Sequence, residues 1–319
     1  MVTISDIQAA RARISGAVHR TPLLHSKTLS GMSGFDVYLK AENLQKAGAF
    51  KARGASNKVF GLSERERSSG VVAASSGNHG QAVAYAAARV GARAIIVMPV
   101  DAQRAKVEAA KCYGAEVVFC GTTATERLER AEEISRETGM TLVHPYDDPD
   151  VIAGQGTAAL EIIEDLPDVD AVVAPIGGGG LISGTAVAVK ESRPGVKVIG
   201  VEPAKSNCMG VSIDRGERTR ITTSTVADGL RSNEPGVLPF AIVRKYVDSL
   251  VLVSEEEIVD AMLLIMERMK LLVEPSGAVS VAAVLAGRLP SGVRRVAAII
   301  SGGNVDLQRV AELIVSRRA

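Results

Sequence analysis

Ala171-Val172-Val173-Ala174-Pro175-Ile176-Gly177-Gly178-Gly179-Gly180-Leu181 lies near the middle of the chain and has the pattern of an α/β protein. An apolar run of strand length, four glycines and the helical run Leu181–Lys190 make a strand–turn–helix unit. A strand that is apolar at every position fits burial on both faces of a parallel sheet. Four glycines let the backbone approach an anion closely, and the next helix offers unpaired N–H groups and a favourable dipole. That is a phosphate cradle; a simple tight turn is the plainer alternative. The loop has no Lys-Ser/Thr pair, so it is not a P-loop, and it lacks the G-x-G-x-x-G spacing of a dinucleotide site.

Working outward, the same alternation fills the chain. Strands are expected at Val37–Lys40, Val71–Ala74, Ala94–Met98, Glu116–Phe119, Ala171–Ala174, Lys197–Val201 and Val296–Ile300, with helices at Gly80–Val90, Ala102–Cys112 and Thr122–Glu137 between some of them. This reads as α/β with helices on both faces. Ligands of open parallel sheets bind beyond the carboxyl ends of strands. Four polar or glycine-rich loops occupy those positions: Gln45 to Lys51, Ser75 to Gly80, Pro175 to Gly180, and Ser301 to Asn304. One shared site is the economical explanation.

Composition narrows the function. The 319 residues exceed one ordinary compact domain. With 37 Lys and Arg against 36 Asp and Glu, the net charge of +1 provides no basic field for nucleic acid or anionic membrane. No apolar stretch approaches a membrane span, and Met1 to Asp6 does not read as a secretory signal; a cytoplasmic location is the default expectation. Cys112, Cys120 and Cys208 form no C-x-x-C pair and suggest neither disulfides nor a zinc knuckle.

Two loops carry candidate chemistry. Lys51 lies among small and apolar neighbours, Gly48-Ala49-Phe50 and Ala52. Desolvation there would favour its neutral, nucleophilic amine, although a lone lysine is more often an exposed helix residue. Ser75-Ser76-Gly77-Asn78-His79-Gly80 ends a strand and opens a helix, a terminus able to hold a carboxylate. Plain helix capping is compatible with the same residues.

The segment Lys40-Ala41-Glu42-Asn43-Leu44-Gln45-Lys46, leading to Phe50-Lys51-Ala52-Arg53-Gly54, resembles the lysine motif of the fold-type II pyridoxal-phosphate (PLP) enzymes. Within that group the chain is similar to the serine/threonine dehydratases and serine racemases. Further matches follow in order: His19 to Leu23, Ser75 to Gln81, Gly154-Gln155-Gly156-Thr157, Gly177 to Leu181, Ala227-Asp228-Gly229, Glu274-Pro275-Ser276-Gly277 and Ser301 to Leu307. The resemblance implies a tryptophan synthase β-like fold: two open, twisted, mostly parallel sheets with flanking helices. It places residues 1–69 and 147–319 in a large PLP-binding domain and 70–146 in a small mobile domain. Lys51 would be the Schiff-base lysine, with Phe50 beside the ring, Asn78 on the ring hydroxyl, Gly177, Gly178, Gly179 and Gly180 on the phosphate, and Ser301 at the pyridine nitrogen. Gly229 and Glu274 would lie near the cofactor. Ser75, Ser76, Asn78 and His79 would hold the substrate carboxylate, and Ser76 would serve as the acid/base of the opposite face in a racemase. Arg127 would reach the active site and suit a second substrate carboxylate; a solvated helix arginine is the plainer reading. The implied reaction is α,β-elimination of water and ammonia from serine- or threonine-type amino acids by a homodimer. A serine racemase with a dehydratase side reaction, or a 3-hydroxyaspartate dehydratase, is the alternative.

Some positions depart from the family pattern. Ala49 stands where serine is frequent. The Mg²⁺ or Ca²⁺ site of animal-type serine racemases would map onto Glu202 and Ser206, but Cys208 replaces the aspartate, and such ions want hard oxygen ligands. The chain ends without the regulatory domain of biosynthetic threonine dehydratases, so isoleucine feedback is not expected. An O-acetylserine sulfhydrylase, a non-catalytic PLP or amino-acid sensor and a nucleotide-dependent oxidoreductase all fit the loops less well.

Overall fold

A computed structural model describes residues 1–75, 77–102 and 104–318 of the chain. Ten strands are present among these residues: β1 (Leu23–His25), β2 (Asp36–Ala41), β3 (Val71–Ala74), β4 (Ala94–Met98), β5 (Glu116–Phe119), β6 (Thr141–Leu142), β7 (Ala171–Pro175), β8 (Lys197–Pro203), β9 (Ser249–Val253) and β10 (Arg295–Ile300). They form a six-stranded sheet in the order β1-β2-β10-β7-β8-β9 and a four-stranded sheet in the order β5-β4-β3-β6. All pairings are parallel except β1 with β2. No helix among the described residues is long and apolar enough to cross a membrane.

The strands read from the sequence are the long apolar ones, because burial on both faces leaves no polar position in them. Every residue of β4 and β7 is buried. β1 and β6 escape that reading because they have only three and two residues, and β9 because it lies at a sheet edge and is only partly buried. The helix expected at Gly80–Val90 runs Asn78–Val90, and the one expected at Thr122–Glu137 runs Ala124–Thr138 with Thr123 capping it.

The sheet order creates the site. β10 comes last in the chain yet lies between β2 and β7, with Ile300 opposite Ala41 and Ala298 opposite Val173. The carboxyl ends of β2, β10 and β7 therefore emerge side by side. They deliver the Lys51 loop, Ser301 and the glycine loop to one edge, as the strand-end rule for parallel sheets demands. The helix Lys51–Phe60 is shared between the two sheets: its Ala55 and Val59 join the core beneath the small sheet with Val71, Ala73 and Ile96. Packing thus crosses the boundary drawn at residue 70.

Candidate active site

One cavity of about 600 Å³ lies between the two sheets. Phe50, Lys51, Ser75, Asn78, His79, Arg127, Gly177 to Gly180, Gly229, Glu274 and Ser301 all line it. Ser76 lies outside the described residues, so its place in this arrangement is not stated.

Lys51 opens the helix Lys51–Phe60. Its Nζ donates to the carbonyl of Pro145 at 2.7 Å and lies 5.1 Å from the Phe50 ring centroid. Burial depresses its pKa to about 8. A lysine shifted this way holds a substantial neutral fraction near neutral pH and is a ready nucleophile.

The helix that carries Lys51 is anchored from below. Arg53 is fully buried and donates to both oxygens of Glu42 at 2.7 and 2.8 Å and of Glu161 at 2.7 and 2.8 Å. Lys40 completes a quartet through Glu161 at 2.6 Å. Two acids and two bases leave the cluster neutral. Removing one partner of such a buried cluster costs about 3–5 kcal/mol, because it leaves an uncompensated charge in the interior. The Gly154-Gln155-Gly156-Thr157 motif has a packing role here. A Cβ at Gly154 would lie 2.6 Å from the Gly54 Cα, and Gln155 accepts the Gly54 N–H at 3.1 Å.

The glycine loop joins β7 to the helix Gly180–Ser192. Gly179 caps that helix in the left-handed region, φ +99°. A Cβ at Gly178 would clash with the Tyr146 ring, and one at Gly177 would come 3.1 Å from the Leu230 Cα. The loop backbone is therefore bare toward the cavity, and the first N–H groups of the helix have no intrahelical partner.

Asn78 begins the helix Asn78–Val90 and donates to Glu274 at 2.7 Å. Burial and the nearby Asp228 push the Glu274 pKa up to about 8, against the opposing hydrogen bonds from Asn78 and the Asn304 N–H. Ser301 is buried, with a long 3.3 Å contact from its hydroxyl to the Ser276 carbonyl, while its own carbonyl accepts the Phe50 N–H at 3.0 Å. The N–H of Gly229 donates to Ser276 Oγ at 2.9 Å.

His79 departs from the expected role. Its Nε2 pairs with the Val143 carbonyl at 2.8 Å, and burial together with the charge of Lys51 lowers its pKa to about 3. A neutral ring whose only N–H faces a carbonyl has no donor left for a carboxylate. The backbone N–H of His79, in the first turn of its helix, remains for that purpose. The Ser75 hydroxyl accepts the Gly77 N–H at 3.1 Å. Arg127 lines the cavity rather than standing free in solvent; its Nη1 donates to the Thr122 carbonyl at 3.1 Å, and burial lowers its pKa.

Glu202 and Ser206 do not make a hard-cation site. Both Glu202 oxygens accept backbone N–H groups, from Met209 at 2.9 Å and Gly210 at 2.8 Å, so the carboxylate caps the helix Cys208–Arg215. Burial raises its pKa to about 7. The Ser206 hydroxyl donates to the Leu230 carbonyl at 2.8 Å, and burial pushes the Cys208 thiol up to about 12. An engaged carboxylate beside a protonated thiol is a poor ligand set for Mg²⁺ or Ca²⁺. Among the described residues no group of three or more His, Cys, Asp or Glu side chains could hold a metal.

Sequence reasoning missed His144 to Asp148. His144 Nδ1 accepts the N–H of Asp147 at 2.8 Å, and Asp147 caps the helix Val237–Tyr246 through the N–H groups of Val237 and Leu238 at 2.8 and 2.9 Å. Asp148 caps the helix Pro149–Asp165. This turn presents the Pro145 carbonyl to Lys51 and the Tyr146 ring to the glycine loop. Asp148-Pro149 is a legible helix start; the contacts of Tyr146 are not.

A depressed lysine amine and a glycine turn at a helix N-terminus line one cavity, an arrangement whose chemistry suits an aldehyde that bears a phosphate. PLP fits these residues: Gly177 to Gly180 for its phosphate, Lys51 for its aldehyde carbon, and Ser301 and Asn78 as polar partners. Comparison with known proteins agrees. Residues 14–302 match the family described as pyridoxal-phosphate dependent enzyme. The chain is 50% identical to an L-threonine ammonia-lyase of Thermotoga maritima, over 98% of this chain and 78% of that one. It is 42% identical to a serine racemase of Dictyostelium discoideum, over 98% of both. The structure of maize serine racemase superposes with a TM-score of 0.94 at 40% identity, covering 99% of this chain and 98% of that one. The chain belongs to the fold-type II pyridoxal-phosphate dependent enzymes, whose members use PLP.

Proposed function

We propose that this enzyme is an L-threonine/L-serine ammonia-lyase: loss of the β-hydroxyl as water gives an enamine, whose imine tautomer takes up one water and releases ammonia and a 2-oxo acid. The observation that carries the reading is Lys51: a buried amine with its pKa lowered to about 8, in the same cavity as a phosphate cradle and a helix terminus suited to a carboxylate. Similarity to a named threonine ammonia-lyase supports the substrate class.

Bound PLP supplies the electron sink that makes the substrate α-proton acidic and lets the β-hydroxyl depart. Gly177 to Gly180 hold its phosphate. Ser301, a neutral hydroxyl lining the cavity, would be the partner of the ring nitrogen and would leave it less electron-withdrawing than a carboxylate partner would. Lys51 Nζ takes the α-proton, and the Pro145 carbonyl orients that amine. Ser75 and the N–H groups at the start of the helix Asn78–Val90 bind the substrate carboxylate. Residues 70–146 act as the small mobile domain whose closure excludes water. A cytoplasmic homodimer belongs to the same reading.

The test is to incubate the purified protein with L-serine, L-threonine and L-threo-3-hydroxyaspartate, following 2-oxo acid and chirality together. We expect oxo acid from L-threonine or L-serine; racemisation without oxo acid would overturn the reading.

A second reading, serine racemase, is favoured by the two racemase relatives and by Ser76 in the sequence. Racemisation needs a proton donor on the face opposite Lys51. A positioned acid/base contributes factors of roughly 10² or more. Ser76→Ala should remove racemisation and D-serine use while L-serine elimination survives, reduced. Equal loss of both would count against an opposite-face role.

Arg127 bears on the third substrate. Its guanidinium lines the cavity and donates to the Thr122 carbonyl through Nη1, and such a group suits a second carboxylate. Arg127→Ala should lower turnover of hydroxyaspartate relative to serine by roughly tenfold or more, the usual range for a charge-assisted hydrogen bond. An unchanged ratio would remove Arg127 from the substrate site.

A further inference from the structure

The turn before Lys51 is strained. Ala47 stands at φ +54° and ψ +19°, in the left-handed region that non-glycine residues rarely adopt, and Gly48 follows at φ +69°. Asn304 reaches this turn from beyond the end of β10. Its Nδ2 donates to the Ala47 carbonyl at 2.7 Å and to Asn78 Oδ1 at 2.9 Å. Asn78 Nδ2 in turn donates to Glu274 Oε1 at 2.7 Å. Gly302 makes room for that bond, since a Cβ there would lie 2.5 Å from Glu274 Oε1 and 3.1 Å from Asn78 Nδ2.

The polarity of this chain is decided at one end. A backbone carbonyl only accepts, so the Asn304 atom facing Ala47 is its nitrogen. The second hydrogen of that nitrogen requires an acceptor, so Asn78 must face it with oxygen. The Asn78 amide nitrogen is thereby turned away, toward Glu274. One of its hydrogens goes to Glu274, and Asn78 lines the cavity in which the cofactor would lie. Glu274 alone would not decide this, because its depressed acidity leaves it protonated near neutrality and able to donate as well as accept.

We propose that Asn304 is a positioning residue that sets which end of the Asn78 amide faces the cofactor, taking its own orientation from the strained Ala47 carbonyl. This rests on the reading that Asn78 donates to the ring hydroxyl of PLP. Asn304 acts on the cofactor through Asn78.

The bland role for Asn304 is to prop the strained turn, and glycine at 47 separates the two. Glycine adopts this conformation without help, so Ala47→Gly removes the need for a prop and by itself should leave the cofactor spectrum unchanged. The experiment uses the holoenzyme and measures the absorption spectrum of bound PLP, the PLP affinity of the apoenzyme and Tm for Asn78→Ala, Ala47→Gly, and Asn304→Ala within Ala47→Gly. We expect the double variant to keep the Tm of Ala47→Gly, yet to show the spectral shift of Asn78→Ala and PLP binding weakened by roughly tenfold, the scale of one hydrogen bond. A wild-type spectrum and affinity in the double variant, with Asn78→Ala shifted, would overturn the proposal for Asn304. An unshifted Asn78→Ala would instead sink the underlying role of Asn78, and the proposal with it. Should the double variant fail to fold, Asn304→Asp in the Ala47→Gly background keeps the side-chain size and removes the donor; the same two spectral outcomes then apply.

Discussion

Lys51→Ala should purify without the yellow colour of a PLP-lysine adduct and lose turnover by three or more orders of magnitude. Two losses combine in this one atom: the covalent anchor for the cofactor and the base that takes the α-proton. General-base removal alone costs roughly 10²–10⁴-fold. Wild-type enzyme treated with borohydride and mapped should carry the pyridoxyl group on Lys51, and labelling of any other lysine would displace the assignment. The environment adds a pH signature. Burial lowers the Lys51 pKa from its ordinary 10.5 to about 8. The neutral fraction that captures an aldehyde therefore grows as pH rises through about 8. Capture of PLP by the apoenzyme should accelerate over that range and level off well below pH 10. A rate still climbing steeply past pH 10 would mean that Lys51 is solvated like a surface lysine.

Gly179→Ala carries the second largest effect, on cofactor affinity. A residue with φ near +99° is strained for any L side chain, by about 1–2 kcal/mol. The added Cβ would also lie 2.6 Å from the Pro239 Cβ and 2.9 Å from the Met209 Cε. Overpacking of that kind costs roughly 1–3 kcal/mol. If both terms fall on binding, about 2–5 kcal/mol corresponds to a loss of roughly 30- to 3,000-fold in PLP affinity. Gly16→Ala supplies the control. Gly16 has φ +76° with nothing within 4 Å of a Cβ, so it carries backbone strain without the cradle. It should lower Tm and leave PLP affinity unchanged. Titrating both apoenzymes with PLP decides the matter: equal affinities would show that the glycine loop does not hold the phosphate.

The glycine loop was legible because strand, glycines and helix are contiguous, and a helix terminus makes an anion site from local backbone alone. Lys51 was legible from its small and apolar neighbours together with the ordered motifs around it. The bond of the His79 ring left no mark in the chain, because Val143, whose carbonyl takes its N–H, lies 64 residues away. The engagement of Glu202 was hidden for a related reason: a carboxylate at a strand end looks free until the next helix turns its first N–H groups back onto it. Tyr146 and Pro145 were missed because a ring packed against glycines and a carbonyl aimed at an amine leave no spacing in the chain.

The properties legible in the sequence are those that depend on neighbours in the chain: the parallel α/β class, through strands apolar on both faces; the glycine turn between a strand and a helix; and the helix start at Ser75 to Gly80. Tertiary structure alone decided the protonation and orientation of the site. Lys51 meets Pro145 94 residues on, Asn78 meets Glu274 196 residues on, and Asn304 meets Asn78 across 226. Burial sets the acidities of Lys51, His79 and Glu274, and that burial comes from elements far apart in the chain packing around one cavity. Desolvation and hydrogen-bond direction are properties of the assembled surroundings, and no local stretch of this chain contains them.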